Sequence, residues 1–249
     1  MIALTRGRYR ARIAETDQDL RAAQRLRYLA FAASREGVDP EGLDTDDFDG
    51  LCTHVMVEEI RSGRLVCCFR ILPLEGGAEI SRSYSAQYYE LSALEAFEGR
   101  MVEMGRFCIH PEVQDPDVLR VAWGALTRYV DDEGVDLLFG CASFKGTDAG
   151  QYLDAFAMLK ERHLAPSRWL PRVKAPNVFR FAQRLRRKPD DRLAMLRMPP
   201  LLRTYLLMGG WVSDHAVVDD HMNTLHVFTG VEIGAIPPAR KRLLRAVAG

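Results

Sequence analysis

Two charged residues stand in a stretch that otherwise reads as buried strand. MVEMGRFCIH, Met101 to His110, carries Met101, Val102, Met104, Phe107 and Ile109 on both faces, the pattern of a strand covered on both sides. Among them are Glu103 and Arg106. A buried charge is costly unless it is paired or kept for chemistry. A carboxylate so placed can take a proton, and a guanidinium can hold an anion through two parallel hydrogen bonds. Positions 103 and 106 point to opposite faces of a regular strand, so a local pair between them requires a bulge. The alternative to chemistry is a structural ion pair of Glu103 with Arg106 or with Arg70.

A second constellation lies upstream, in LDTDDFD. Asp44, Asp46 and Asp49 have a DxDxxD-type spacing that suits a hard cation, and the same carboxylates can receive an ammonium group. The plain alternative is a loop made soluble by aspartate, which is the reading adopted for Asp47. Charge is unevenly placed along the whole chain. From Glu36 to Ile60 there are nine acids and no Lys or Arg, whereas residues 160–203 hold thirteen Lys or Arg and three acids. Such asymmetry suits two partners of opposite charge, or simply two solvated surfaces. With 34 basic and 34 acidic residues the chain is neutral overall, which argues against a general nucleic-acid binder.

The elements that must position these residues follow from periodicity. Thr16 to Ser34 is an amphipathic helix with Leu20, Ala23, Leu26, Ala30 and Ala33 in one stripe, and Arg27 and Phe31, four apart, share a strip of it. Cys52–Ile60 and Leu65–Leu72 form a hairpin around RSGR, with Gly63 as its permissive residue. Asp117–Asp132 is a helix ended by Gly134, Val135–Phe144 a buried strand, and Thr147 or Asp148 caps a helix through about Arg162. A helix between two apolar strands is a crossover, hence parallel strands. The fold class is therefore α/β, an α+β mixed sheet flanked by helices. Beyond Ala165 prolines punctuate the chain. Asn177–Lys188 is expected to be a basic amphipathic helix, with Arg184, Arg187 and Lys188 facing an anionic lipid or protein surface, or else merely solvated. The expected organisation is one domain, a core of 1–164 with an extension of 165–249 packed on it.

Five cysteines, Cys52, Cys67, Cys68, Cys108 and Cys141, all fall in apolar runs without a CxxC pair, as expected of reduced core thiols in a cytoplasmic protein; a catalytic thiol is the alternative. The N-terminus lacks a signal-peptide core, and no run of about 18 apolar residues is present, so any membrane contact is expected to be peripheral.

The helix with Arg27 and Phe31, then LDTDDFD, then Arg70, then EMGR resemble, in that order, the acyl-homoserine-lactone synthases, a branch of the GNAT superfold. Asp44 departs from that pattern, where Glu is usual, and no Trp lies between Phe31 and Asp44. GCASFKGTD (Gly140–Asp148), PPLLRTYLLMGG (Pro199–Gly210) and AVVDDHMNT (Ala216–Thr224) resemble more closely the L-ornithine Nα-acyltransferase family, and the likeness runs from about residue 20 to 235.

That resemblance implies a GNAT-like twisted, splayed sheet and an N-acyltransferase. It would move a 3-hydroxyacyl group from acyl carrier protein to the α-amine of L-ornithine, giving lyso-ornithine lipid. No cofactor or metal is implied, since the acyl-phosphopantetheine arm is itself substrate. Glu103 becomes the base. Asp44, Asp46 and Asp49 become candidates for an ammonium, Arg27, Arg70 and Arg106 for a carboxylate, with Phe31, Ser143 and Phe144 also at the substrate. The basic stretch becomes a landing surface for the acidic carrier protein or for the anionic inner face of the cytoplasmic membrane. PEVQDPDVLR, after Met101–His110, lacks the Gly-rich pyrophosphate run of acetyl-CoA-using relatives, which fits a carrier-protein donor. Two alternatives remain: an acyl-homoserine-lactone synthase using S-adenosylmethionine, and a silent module that binds carrier protein or membrane.

Overall fold

The computed structural model describes residues 2–32, 39 and 41–248. In chain order the strands and helices are β1 (Leu4–Arg6), β2 (Tyr9–Ile13), α1 (Asp17–Ala32), β3 (Thr53–Glu59), β4 (Leu65–Leu74), β5 (Tyr89–Glu90), β6 (Met101–Ile109), α2 (Pro116–Glu133), β7 (Leu137–Lys145) and α3 (Leu153–Arg162). There follow β8 (Arg172–Val173), β9 (Val178–Phe179), α4 (Phe181–Arg184), α5 (Asp191–Arg197), α6 (Pro200–Leu207), β10 (Trp211–Val212), β11 (Ala216–Asp219), β12 (Thr224–Glu232) and α7 (Pro238–Ala248). The α/β class with a mixed sheet is thus as expected. The end of the first predicted helix, Ala33 and Ser34, lies outside the described residues, as does most of 33–40 in the acidic connection.

The chain folds as two compact units. One comprises Met1–Pro73, Met104–Val135 and Pro238–Gly249, the other Leu74–Glu103 and Asp136–Pro237. The grouping differs from a break at residue 164. Residues 165–237 belong with 74–103 and 136–164, and the last helix belongs with the N-terminal part.

In the first unit β1, β2, β3 and β4 form an antiparallel run, and the later part of β6 lies beside β4. The β3–β4 hairpin turns through Gly63 at φ +70, in the left-handed region that glycine enters without penalty. Helix α1 starts on a reciprocal cap. The Asp19 amide donates to Thr16 Oγ1 at 3.1 Å, and the Thr16 amide to Asp19 Oδ2 at 3.3 Å. Its buried Ala23 and Leu26 pack on Cys68 of β4 and Cys108 of β6, with Ala30 and Phe31 at the margin. Helix α2 opens on Asp115, which accepts from the Asp117 amide, with Pro116 at its first position, and closes on Gly134. Helix α7 joins α2 through Arg245, bonded to both oxygens of Asp131 at 2.9 Å.

In the second unit Met101–Glu103 of β6 run parallel to Leu137–Phe139 of β7, with α2 between them in sequence as the crossover pattern requires. β7 then pairs antiparallel with β12 over nine residues, from Thr224↔Lys145 to Glu232↔Leu137. β11 and β9 continue beyond β12, and β10 pairs its far end. Asp148 caps a tight helical turn at Ala149–Tyr152, and α3 begins only at Leu153.

The helix expected over Asn177–Lys188 does not form. Val178 and Phe179 pair with Val217 and Ala216 of β11, only Phe181–Arg184 are helical, and Leu185 is extended. Phe181 is fully buried, stacked on Phe156 of α3 at 5.1 Å. The apolar residues that suggested one helical face therefore serve a sheet edge and a separate core contact.

Gly134 ends α2 at φ +62, and the space where a Cβ would stand is open, so a side chain there meets only backbone strain. Gly134→Ala is expected to lower stability by about 1 kcal/mol, with Gly134→Asn between the two. Urea or thermal unfolding of the three proteins measures this.

Candidate active site

Glu103 is 4% exposed and sits at the end of the β6–β7 ladder, opposite Phe139. Residues directly opposite in a sheet share a face. Glu103 therefore lies on the face that carries Phe139, Cys141 and Ser143 of β7 and, across the next ladder, Gly230, Phe228 and His226 of β12. The loop around Ser85 closes on it. The Tyr84 amide donates to Oε2 at 2.7 Å, and the Ser85 amide and hydroxyl donate to Oε1 at 2.8 and 2.5 Å. These three are all donors, the surroundings of an ionised carboxylate, which can only accept. Ser85 Oγ also lies 3.4 Å from Cys141 Sγ. Tyr205 of α6 is buried nearby. Burial pushes its phenol up, and the negative charge of Glu103 adds to the shift.

The same loop brings Tyr84, Tyr88 and Tyr89 onto this face. The Tyr84 and Tyr88 hydroxyls are 3.3 Å apart, and the His226 ring meets the Tyr88 ring edge-on at 5.0 Å. Tyr89 Oη donates to the His226 carbonyl at 2.8 Å and lies 3.1 Å from His226 Nδ1. A carbonyl only accepts, so the one phenolic proton goes to it and Nδ1–H donates to the phenol oxygen. His226 is therefore the Nδ1–H tautomer, and its buried Nε2 lone pair has no hydrogen-bond partner among the described residues. His226 is not among the residues singled out from sequence, although a lone imidazole in the apolar run TLHVFTGVE is the same kind of signal as Glu103 in β6.

The other predicted charges gather in the first unit. Arg27 is 1% exposed and forks onto Asp49, Nη1 to Oδ1 at 2.7 Å and Nη2 to Oδ2 at 2.8 Å. Its Nε pairs with Asp44 Oδ2 at 2.9 Å, and Nη2 also donates to the Asp44 carbonyl. Arg70 forks onto Asp46 at 2.5 and 2.6 Å and reaches Asp49 at 2.7 Å. Arg106 meets Asp46 at 3.1 Å and Asp44 at 3.2 Å. Gln24 completes Asp49 at 2.9 Å. Burial alone would raise the Asp49 carboxyl, but Arg27, Gln24 and Arg70 outweigh it and hold it well below the usual carboxylate range. Three guanidinium groups thus face three carboxylates, so the DxDxxD spacing here presents its oxygens to arginine. Asp47 is exposed, as read from sequence. Arg106 has φ +52, so β6 is irregular at that residue.

The remaining predicted residues separate. Phe31 packs at the edge of the α1–β4–β6 cluster. Ser143 is exposed on the Glu103 face of β7. Phe144, the next residue, points to the opposite face, 1% exposed between Tyr152 and Phe156, and belongs to the aromatic core. Arg184 and Lys188 are exposed, whereas Arg187 is bonded to Asp154 at 2.6 Å. All five cysteines are free thiols; Cys67, Cys68 and Cys108 are buried, and burial pushes the Cys67 thiol up.

Burial holds the His226 imidazole down at about 4, against 6.5 for an open histidine. Between those values the unfolded chain binds a proton that the folded chain refuses. Stability therefore falls as pH drops through that window, and the whole contribution is present above it. At 1.36 kcal/mol per unit the loss is roughly 3 kcal/mol. His226→Leu is expected to remove most of it, seen as a flatter unfolding free energy between pH 7 and 4 in urea titrations.

Comparison with known proteins supports the fold and adds a family. Residues 26–124 match the acetyltransferase (GNAT) domain. An L-ornithine N(alpha)-acyltransferase of Rhodobacter capsulatus is 35% identical over 229 residues, covering 88% of each chain. One from Brucella abortus is 27% identical, covering 89% of this chain and 83% of its own. The solved structure of an N-acyl amino acid synthase from uncultured soil microbes aligns over 97% of both chains at 12% identity and TM-score 0.49. With the 35% identity sustained across nearly its whole length, the chain belongs to the L-ornithine N(alpha)-acyltransferase family and is an acyltransferase.

Proposed function

We propose that this acyltransferase moves a 3-hydroxyacyl group from acyl carrier protein to the α-amine of L-ornithine, yielding lyso-ornithine lipid, and that Glu103 is its base. The observation that carries this reading is a buried carboxylate, fixed by Tyr84 and Ser85, in a chain whose relatives are named for ornithine acylation. At neutral pH the α-amine is protonated and not nucleophilic. Glu103 takes one proton from the ammonium, directly or through a water, and releases it to solvent, which leaves a neutral amine whose lone pair attacks the thioester carbon. As the C–S bond breaks, the nitrogen loses its second proton, which ends on the departing pantetheine sulfur as a thiol. Asp46 and Arg106 are the most exposed carboxylate and the most exposed guanidinium of the charge cluster. Arg27 and Arg70 are interior and satisfied by aspartate, a scaffolding role.

One feature of α2 favours a carrier-protein donor over coenzyme A. An open helix N-terminus offers amide protons to a pyrophosphate. Here Asp115 places its own carboxylate on the first turn, and Pro116 has no N–H to offer. The exposed Arg184 and Lys188 suit the acidic surface of a carrier protein. The reaction is assigned to the cytoplasmic side; among the described residues no helix is long and apolar enough to cross a membrane.

A mass-spectrometric assay tests the reaction. The protein is given 3-hydroxyacyl carrier protein, or the matching coenzyme A thioester, with ornithine, lysine, glutamine and S-adenosylmethionine together. N-acyl-ornithine is expected, formed predominantly from the carrier protein. An acyl-homoserine lactone would instead establish the synthase reading, and carrier-protein binding without any product would establish a silent module.

A further inference from the structure

Helix α5 presents a surface that the reaction does not use. Its inward residues are Ala194 and, just past its end, Met198, at 0% and 2% exposure. At about 100° per residue, the outward strip runs in the order Arg192, Leu196, Leu193, Arg197, two leucines with an arginine on either side. Leu196 is 71% exposed and Leu193 45%, and Met195, across Arg192 from them, is 41% exposed. A lone exposed leucine means nothing, but adjacent ones on a charged rim mark a contact surface.

The charges around the strip do not cancel. Asp190 is spent capping α5 at the Leu193 amide, and Asp191 is bonded to Arg162 of α3 at 2.8 Å. Arg187 is taken by Asp154. Arg186, Arg192 and Arg197 are exposed and have no acidic partner among the described residues. Apolar side chains flanked by arginines whose stems lie along them while their heads reach outward are the pattern of an interfacial helix.

We propose that α5 seats this chain on an anionic lipid surface, with Leu193 and Leu196 entering the headgroup boundary and Arg192 and Arg197 meeting lipid phosphates. The contact goes beyond the acylation reading and does not depend on which acceptor is acylated. Charge complementarity selects the anionic bilayer. The two outermost leucines suit insertion at the headgroup boundary.

Co-sedimentation with vesicles tests it. The full chain is expected to bind vesicles of equal parts phosphatidylglycerol and phosphatidylcholine at low salt, and at least about tenfold more weakly phosphatidylcholine alone. Leu193→Asp with Leu196→Asp should abolish binding while leaving the unfolding midpoint unchanged, because both side chains are exposed. Arg192→Ala and Arg197→Ala should each weaken binding to the mixed vesicles by roughly fivefold. Equal binding to both vesicle types, no binding to either, or wild-type binding by the leucine variants would overturn the proposal. So would leucine variants that lose affinity for acyl carrier protein while still binding vesicles, which would assign the strip to a protein partner.

Discussion

A guanidinium at 1% exposure has no water to solvate it, and Arg27 is held in the interior because Asp49 takes both of its terminal nitrogens. The same condition repeats outward. Asp49 also binds Arg70, Arg70 binds Asp46, and Asp46 binds Arg106. Removing one member of such a set leaves its partner charged and buried, typically at a cost of about 3–5 kcal/mol. The cluster joins α1, the acidic segment before β3, β4 and β6, and so fixes the path of a stretch with no regular structure of its own. Its charges balance, three against three, which lets these groups stay largely out of water together.

Glu103 obeys the same condition by a different route. The donors that the Tyr84–Ser85 loop brings to it are two amides and a hydroxyl, all of them neutral groups. Asp49 is held instead by the guanidinium groups of Arg27 and Arg70. The loop that fixes Glu103 also delivers Tyr88 and Tyr89 to His226, so the carboxylate and the neutral imidazole share one face of the sheet and one positioning segment.

The elements with local signatures were legible. The β3–β4 hairpin, the crossover through α2 and the caps on Thr16 and Gly134 depend on neighbours a few residues apart. Glu103 was legible as a carboxylate that did not belong in its strand. GCASFKGTD, PPLLRTYLLMGG and AVVDDHMNT carried the family. What sequence did not show was closure. Arg27 and Asp49 are 22 positions apart and Arg70 and Asp49 are 21, and nothing local says that these groups satisfy one another. The donors from Tyr84 and Ser85 are longer-range features of the same kind. Asn177–Lys188 misled because a 3.6-residue spacing of apolar residues arose across two elements. Naming both Ser143 and Phe144 as substrate contacts overlooked that adjacent residues of one strand face opposite ways.

The central claim is that Glu103 removes a proton from the attacking amine. Single-turnover amide formation by Glu103→Gln, with 3-hydroxyacyl carrier protein and ornithine, tests it most directly. Glutamine keeps an oxygen to accept from the Ser85 loop, so folding and carrier-protein binding should persist. Amide formation is expected to fall by about 10²–10⁴-fold, with partial recovery at alkaline pH, where ornithine's amine deprotonates in solution. A variant that forms the amide at the wild-type rate at neutral pH would contradict the account and leave Glu103 as an anchor for the loop alone.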